Sequence, residues 1–295
     1  MILNVNSLCF VQRAKNKVKS SVLITGASTG IGAACTHYLA QRGFHVIAGV
    51  RRTEDGESLR QTSADISPII LDVTHPDHIT AAAQSVQNMV SENGLAGLIN
   101  NAGIATAGPL EFLPIDELRY QLEVNTIGLI ALTQAVLPFI RQAKGRIINM
   151  SSFGGSISSP FLGPYHASKF ALEALSDALR MELRPWGIHV SVIKPAAVST
   201  PIWNKAIDDS SRFSEKVHDY YGYAFDTLTR NAQEASRVGV EASAVAAVVH
   251  RALTAPKPKT RYLIGFNPLV YAVLQMLPDR WRDRLILKNL GLSIP

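Results

Sequence analysis

From Ser21 onward, short apolar and β-branched runs alternate with longer stretches in which apolar residues recur every three or four positions. The first pattern is that of buried strands and the second that of helices with one apolar face. Strands are predicted at Val22–Thr25, His45–Val50, Pro68–Leu71, Gly97–Asn100, Arg146–Met150, Ile188–Ile193 and Arg261–Ile264. Helices are predicted at Ile31–Arg42, Pro76–Ser91, Ile115–Ala143, Tyr165–Arg184 and Ala242–Leu253, each bounded by turn residues. Strand–helix alternation predicts an α/β fold with a doubly wound parallel sheet of seven strands. Right-handed crossovers place helices on both faces of such a sheet.

Two stretches break the alternation. Residues 201–237 are polar and aromatic, with Trp203, Phe213, Tyr220, Tyr221, Tyr223 and Phe225. They are expected to form a helical lid over a substrate site, with an ordinary insertion packing its aromatics on the core as the alternative. Residues 266–295 form a hydrophobic and basic tail after the stiff connector Ala255–Thr260. The apolar run Leu263–Leu277 is interrupted by Asn267, Pro268 and Gln275. It falls short of the ~20 residues that span a bilayer and reads as buried or interfacial. The expected organisation is a flexible basic arm (1–20), one domain (21–265) and the tail (266–295).

Composition narrows the function classes. With 295 residues, 47% hydrophobic and 18% charged, the chain buries a large core, and disorder of the body is excluded. The net charge of +6 sits at the ends: residues 1–20 carry Arg13, Lys15, Lys17 and Lys19 with no acid, and residues 250–295 carry eight bases against two acids. The body between them is mildly acidic, which argues against a nucleic-acid footprint. The basic ends raise instead contact with an anionic membrane surface or an acidic partner. Cys9 and Cys35 make no disulfide framework, and no Cys/His cluster has zinc-ligand spacing, so a reducing, cytoplasmic compartment is expected. The apolar stretch Ile2–Val11 precedes the basic residues, the reverse of a secretory signal.

Two motifs carry chemistry. Thr25-Gly26-Ala27-Ser28-Thr29-Gly30-Ile31-Gly32 follows the first strand and opens the first helix. Glycines there let the backbone approach a pyrophosphate, whose charge the free amides and positive end of the helix attract. Tyr165 and Lys169 lie four apart at the start of a helix, hence on one face. A phenol with a pKa of about 10 is a poor base at neutral pH, but a neighbouring ammonium favours phenolate.

These residues give the chain, from about residue 21 to residue 265, a resemblance to the short-chain dehydrogenase/reductase family. The glycine motif matches its Thr-Gly-x-x-x-Gly-x-Gly, Asn100-Asn101-Ala102-Gly103 its Asn-Asn-Ala-Gly, and Tyr165 and Lys169 its Tyr-x-x-x-Lys. Ser152 and Asn125 match its catalytic serine and helix asparagine. The resemblance implies a Rossmann-type fold and an NAD(P)-dependent alcohol–carbonyl oxidoreductase. In it Tyr165 transfers the proton, Ser152 holds the substrate oxygen, Lys169 holds the nicotinamide ribose and acidifies Tyr165, and Asn125 anchors a relay water. It also implies that Gly26, Ser28, Thr29, Gly30, Ile31, Gly32, Arg51, Arg52, Asp72, Val73, Asn100, Ala102, Gly103, Pro195, Val198 and Thr200 bind the cofactor together with Tyr165 and Lys169.

Cofactor preference follows from the end of the second predicted strand, Ala48-Gly49-Val50-Arg51-Arg52, which carries no carboxylate to accept a ribose 2′-hydroxyl. A guanidinium there binds a 2′-phosphate, so NADP(H) is expected over NAD(H), although Ser28 and Thr29 add no basic group. Pro195-Ala196-Ala197-Val198-Ser199-Thr200 resembles the family's Pro-Gly-x-Val-x-Thr with Ala196 in place of glycine, which predicts an altered loop. Residues 160–174 and 184–188 are similar to the branch holding retinol, hydroxysteroid and 3-hydroxybutyrate dehydrogenases. A hydrophobic alcohol/carbonyl substrate and a homodimer or homotetramer are therefore expected. The alternatives are a cofactor-binding regulator or scaffold without efficient turnover, a sugar-nucleotide epimerase or dehydratase, and a membrane-anchored platform.

Overall fold

A computed structural model describes residues 19–200, 202 and 215–292. Most of the expected arm, Cys9, and Trp203 and Phe213 of the expected lid lie outside the described residues. Seven parallel strands, β1 (Ser21–Thr25), β2 (His45–Val50), β3 (Ile66–Ile70), β4 (Leu95–Asn100), β5 (Arg146–Met150), β6 (His189–Pro195) and β7 (Arg261–Ile264), form one sheet in the order β3-β2-β1-β4-β5-β6-β7. The helices are α1 (Gly30–Ala40), α2 (Thr53–Thr62), α3 (Pro76–Val90), α4 (Ile115–Leu122), α5 (Gly128–Ala143), α6 (Gly163–Glu182), α7 (Glu215–Val238), α8 (Ala242–Thr254), α9 (Pro268–Met276) and α10 (Asp279–Asn289).

A strand covered on both faces has no solvated side, which is why β1 reads Ser-Val-Leu-Ile-Thr and is buried throughout. Its side chains alternate between two cores. Val22 and Ile24 pack with Leu39 of α1 and Val245 and Val249 of α8, whereas Leu23 packs with Val86 of α3, Leu132 and Ile140 of α5 and Leu172 of α6. Strand order reverses between β1 and β4, so the loops leaving their carboxyl ends diverge and open a crevice where ligands of such sheets bind.

Several boundaries differ from expectation. The stretch read as one helix from Ile115 to Ala143 is α4 and α5 joined by a π-helical turn, Glu123–Ile127. Apolar periodicity continues across such an insertion and hides it, whereas packing imposes it: Gly128 lies so close to the Val73 carbonyl that an added Cβ would sit 2.3 Å from the oxygen. Ile115–Ala143 has the length and apolarity to cross a membrane, with half of its apolar window buried inside the fold. Helix α2 escapes the sequence reading because residues 53–62 are mostly polar; only Gly56 and Leu59 are buried, against the β2–β3 edge. The tail folds into α9, capped by the Asn267 side chain accepting from the Leu269 and Val270 N–H groups, and α10.

Candidate active site

The crevice holds a cavity of about 270 Å³ lined from the carboxyl ends of β1, β2, β4, β5 and β6. At one end lies the glycine turn. Gly26 and Gly30 have φ of +63° and +56°, which L side chains rarely adopt, and a Cβ on Gly26 would meet the Ala102 Cα at 3.0 Å. The turn is stitched to β4: the Thr25 hydroxyl oxygen accepts from the Asn101 and Ala102 N–H groups at 2.9 and 2.8 Å, and the Asn101 amide donates to the Thr25 and Gly26 carbonyls. Gly26, Ser28, Thr29, Gly30 and Ile31 all line the cavity. Thr29 caps α1 without a side-chain bond, so the helix presents its positive end to the cavity.

Past the end of β2, Val50 and Arg51 line the cavity, and Asp72 and Val73 line it past β3. Burial pushes the Asp72 carboxyl up, but hydrogen bonds from the Thr74 N–H and hydroxyl, with the nearby charges of Arg51 and His75, bring it below its usual range. Ala102 and Gly103 after β4, and Pro195, Val198 and Thr200 after β6, complete this wall.

Three residues predicted to bind the cofactor do not line the cavity. Arg52 turns outward, its side chain 72% exposed and paired with Asp55 at 2.6 Å. Asn100 lies beneath the floor, its side-chain amide donating to the Thr133 hydroxyl and to the side-chain Oδ1 of Asn149. Gly32 makes the turn compact, since a Cβ there would sit 2.0 Å from the Gly26 carbonyl oxygen.

At the other end Ser152, Tyr165 and Lys169 line the cavity together. Ser152 follows β5 in extended conformation, and its Oγ accepts from the Gly154 N–H at 3.1 Å. Tyr165 and Lys169 project from the first turns of α6, both buried, with the Lys169 Nζ donating to the Met150 carbonyl at 2.8 Å and lying 5.7 Å from the Tyr165 ring centre. Asn125 sits on the π-helical turn and does not line the cavity; it holds Ile104, which does. Burial raises the Tyr165 phenol above its ordinary value, and a hydrogen bond with the Ser152 side chain offsets part of this. Of these two effects desolvation is the larger, so the phenol sits above its ordinary value. Burial brings the Lys169 ammonium down to about 8 against the opposing charge of Glu173.

Ala196, which lines the cavity, is absent from the non-glycine residues of positive φ, and its N–H donates to the Ile264 carbonyl at 2.8 Å, so a side chain sits at this position without left-handed strain. Sequence reasoning missed the apolar wall made by Ile104, Tyr120, Val124, Met150 and Ile202. Met150 precedes Ser152 by two positions, and Tyr120 and Val124 lie within about one helical turn of Asn125. Their proximity to motif residues was the available signal.

Residues 20–211 match the family described as short chain dehydrogenase. The chain is 36% identical over 276 residues to an NADPH-dependent 3-dehydrocapnine reductase of Ornithobacterium rhinotracheale, covering 91% of this chain and 96% of that protein. It is likewise 36% identical over 277 residues to mouse (Mus musculus) retinol dehydrogenase 5, covering 90% and 87%. The crystal structure of a short-chain dehydrogenase from Streptomyces avermitilis superposes with a TM-score of 0.74 at 27% identity, covering 95% of this chain and 100% of that one.

Proposed function

The chain belongs to the short-chain dehydrogenase/reductase family, and on that premise we propose that it interconverts a lipophilic alcohol and its ketone or aldehyde with NADP(H) in preference to NAD(H). As a family member it is an NAD(P)-dependent oxidoreductase acting on CH–OH groups. The observation that carries the finer reading is that one cavity runs from Arg51 and the glycine turn to Ser152 and Tyr165 with an apolar wall between.

The residues present fit a dinucleotide. The space beside Gly26 and Gly30 is one that a Cβ would fill, and the α1 N-terminus faces it. Arg51 would bind a 2′-phosphate, and buried Val50 offers no carboxylate to repel it. Bound there, the nicotinamide supplies or accepts the hydride. Lys169 would hold the ribose hydroxyls, Ser152 would donate to the substrate oxygen, and the Tyr165 hydroxyl would give its proton to that oxygen or take it back. Its raised pKa keeps the phenol protonated at neutral pH, the form that donates in carbonyl reduction. Asn125 would position the Ile104 loop beside the relay. Pro195, Val198 and Thr200 would border the nicotinamide.

The lipophilic substrate is supported by the wall of Ile104, Tyr120, Val124, Met150 and Ile202, and by the names of the two relatives, one a retinol dehydrogenase. The test is oxidation of NADPH and of NADH against carbonyls ranging from short keto acids to retinal and steroid ketones, with Tyr165→Phe as control. NADPH-dependent turnover of a lipophilic carbonyl that disappears in the control supports the reading. Turnover of short keto acids with NADH alone refutes it.

Two assembly proposals accompany it. Exposed Ile127, Phe170 and Leu175 on the segments bearing Asn125 and Tyr165 support a homodimer or homotetramer, checked by light scattering. The outer face of α9, with exposed Leu269, Val273 and Met276 beside exposed Arg280 and Arg284, supports peripheral contact with an anionic membrane, checked by co-sedimentation with phosphatidylserine vesicles.

A further inference from the structure

One cluster of buried charge lies behind the cavity, outside the residues assigned above. Glu173, its side chain 9% exposed, lies four residues beyond Lys169 on α6 and so on the same helical face. Its two carboxylate oxygens are divided between cations of two strands. Oε1 lies 2.8 Å from Nζ of Lys194 on β6, whose side chain is 2% exposed, and Oε2 accepts from Arg261 Nε on β7 at 2.9 Å. The Arg261 guanidinium also bridges to Asp177 one turn further along α6, and Asp177 in turn pairs with Arg180. Lys194 donates to the Ser156 hydroxyl and lies 5.4 Å from the Tyr271 ring of α9.

A buried carboxylate with two bound cations is costly to assemble, and apolar residues of similar volume would serve the packing as well. Its place is informative. Lys169, 4% exposed and hydrogen-bonded only to the Met150 carbonyl among the bonds described, has Glu173 as its nearest acidic neighbour along α6. We propose that Glu173 is a positioning residue for Lys169: clamped by Lys194 and Arg261, its carboxylate keeps the Lys169 ammonium charged at the cavity wall. The inference rests on the reading of Lys169 as the cation that holds the cofactor ribose. Burial draws the ammonium down to about 8, and Glu173 is the charge that opposes this. Without it the lysine would carry less of its charge at physiological pH and would hold a ribose oxygen more weakly. The groups facing the pair are Tyr165 beside Lys169 on α6, Lys194 on β6, Arg261 on β7 and, through Arg261, Asp177.

The test is competitive acetylation of the purified full chain with acetic anhydride across pH, each lysine being read by mass spectrometry, which needs neither substrate nor NADPH. Lys169 is buried but lines the cavity, which is the route by which so small a reagent would reach it. In the unmodified chain its labelling midpoint is expected at about 8. Glu173→Gln removes the carboxylate charge and moves the midpoint down by about one pH unit. Arg261→Gln removes a competing cation from a side chain that is 39% exposed, and moves the midpoint up. Opposite shifts are the expected result. An unchanged midpoint in both variants, or a shift of the same sign in both, overturns the proposal, since a loss of packing alone has no charge sign. If Glu173→Gln does not fold, a downward or absent shift in Arg261→Gln overturns it. An outcome in either direction stands whatever substrate the enzyme uses.

Discussion

Asn125 clasps both backbone groups of Ile104: its Oδ1 accepts from the Ile104 N–H at 2.8 Å and its Nδ2 donates to the Ile104 carbonyl at 2.9 Å. The same amide donates to the Ser168 hydroxyl at 3.0 Å, and that hydroxyl donates to the Tyr165 carbonyl. A fully buried side chain on a π-helical turn thus ties the loop after β4 to the first turn of α6. Asn125→Ala leaves both Ile104 groups without this partner and is expected to cost about 2–4 kcal/mol of stability, measured by urea unfolding, with turnover falling together with it. Asn125→Asp still accepts from the N–H but cannot donate to the carbonyl, and should fall between.

Arg51 is the cation next to the buried Val50 at the cavity wall. Arg51→Ala should weaken NADPH binding by roughly 10- to 100-fold, as expected for lost charge-assisted bonds, and leave NADH binding nearly unchanged. Fluorescence titration of the two nucleotides reads this directly. Adding Val50→Asp should reverse the preference.

The pH profile follows from two shifts of opposite sense. Tyr165 is raised, so it stays protonated and able to donate through neutral pH; Lys169 is lowered to about 8, so it loses its charge as pH rises through that value. Carbonyl reduction should therefore be flat at neutral pH and decline on an alkaline limb near about 8, read as kcat/KM against pH. Lys169→Arg keeps its charge in this range and should lose the alkaline limb, at a reduced rate because the guanidinium has a different shape.

Gly32→Ala places a Cβ 2.0 Å from the Gly26 carbonyl oxygen, a backbone atom that cannot swing aside. The glycine turn must open, so the variant should lose about 1–3 kcal/mol of stability and most of its NADPH affinity. Gly222→Ala is the matched control, since among the described residues no atom beyond its own helix backbone and chain neighbours lies within 4 Å of the added Cβ in the interior of α7. Exchanging glycine for alanine in a helix interior should there stabilise by about 0.5–1 kcal/mol. Thermal unfolding of the pair tests both.

Much of this protein was legible in its sequence because the informative features are local. β1 and its glycine turn follow from a buried apolar run meeting residues that tolerate positive φ, and the faces of α1, α3 and α6 follow from apolar spacing. Tyr165 and Lys169 share a face through helical geometry alone. The family resemblance placed Asn100 and Arg52 at the cofactor, yet one lies beneath the floor with Thr133 and Asn149 and the other turns out to Asp55. Direction along a loop or beneath a strand depends on neighbours remote in the chain.

Sequence by itself determined the parallel α/β sheet, the order of its main elements and the motifs that meet at the crevice, because each rests on a periodicity or on the conformational range of a few residues. Tertiary structure alone decided the π-helical turn that aims Asn125 at Ile104, the formation of the polar helix α2, the sense of the Tyr165 shift and the pairing of Glu173 with Lys194 and Arg261. Each of these depends on burial and on groups from separate strands meeting, and close packing over long sequence distances has no local signature.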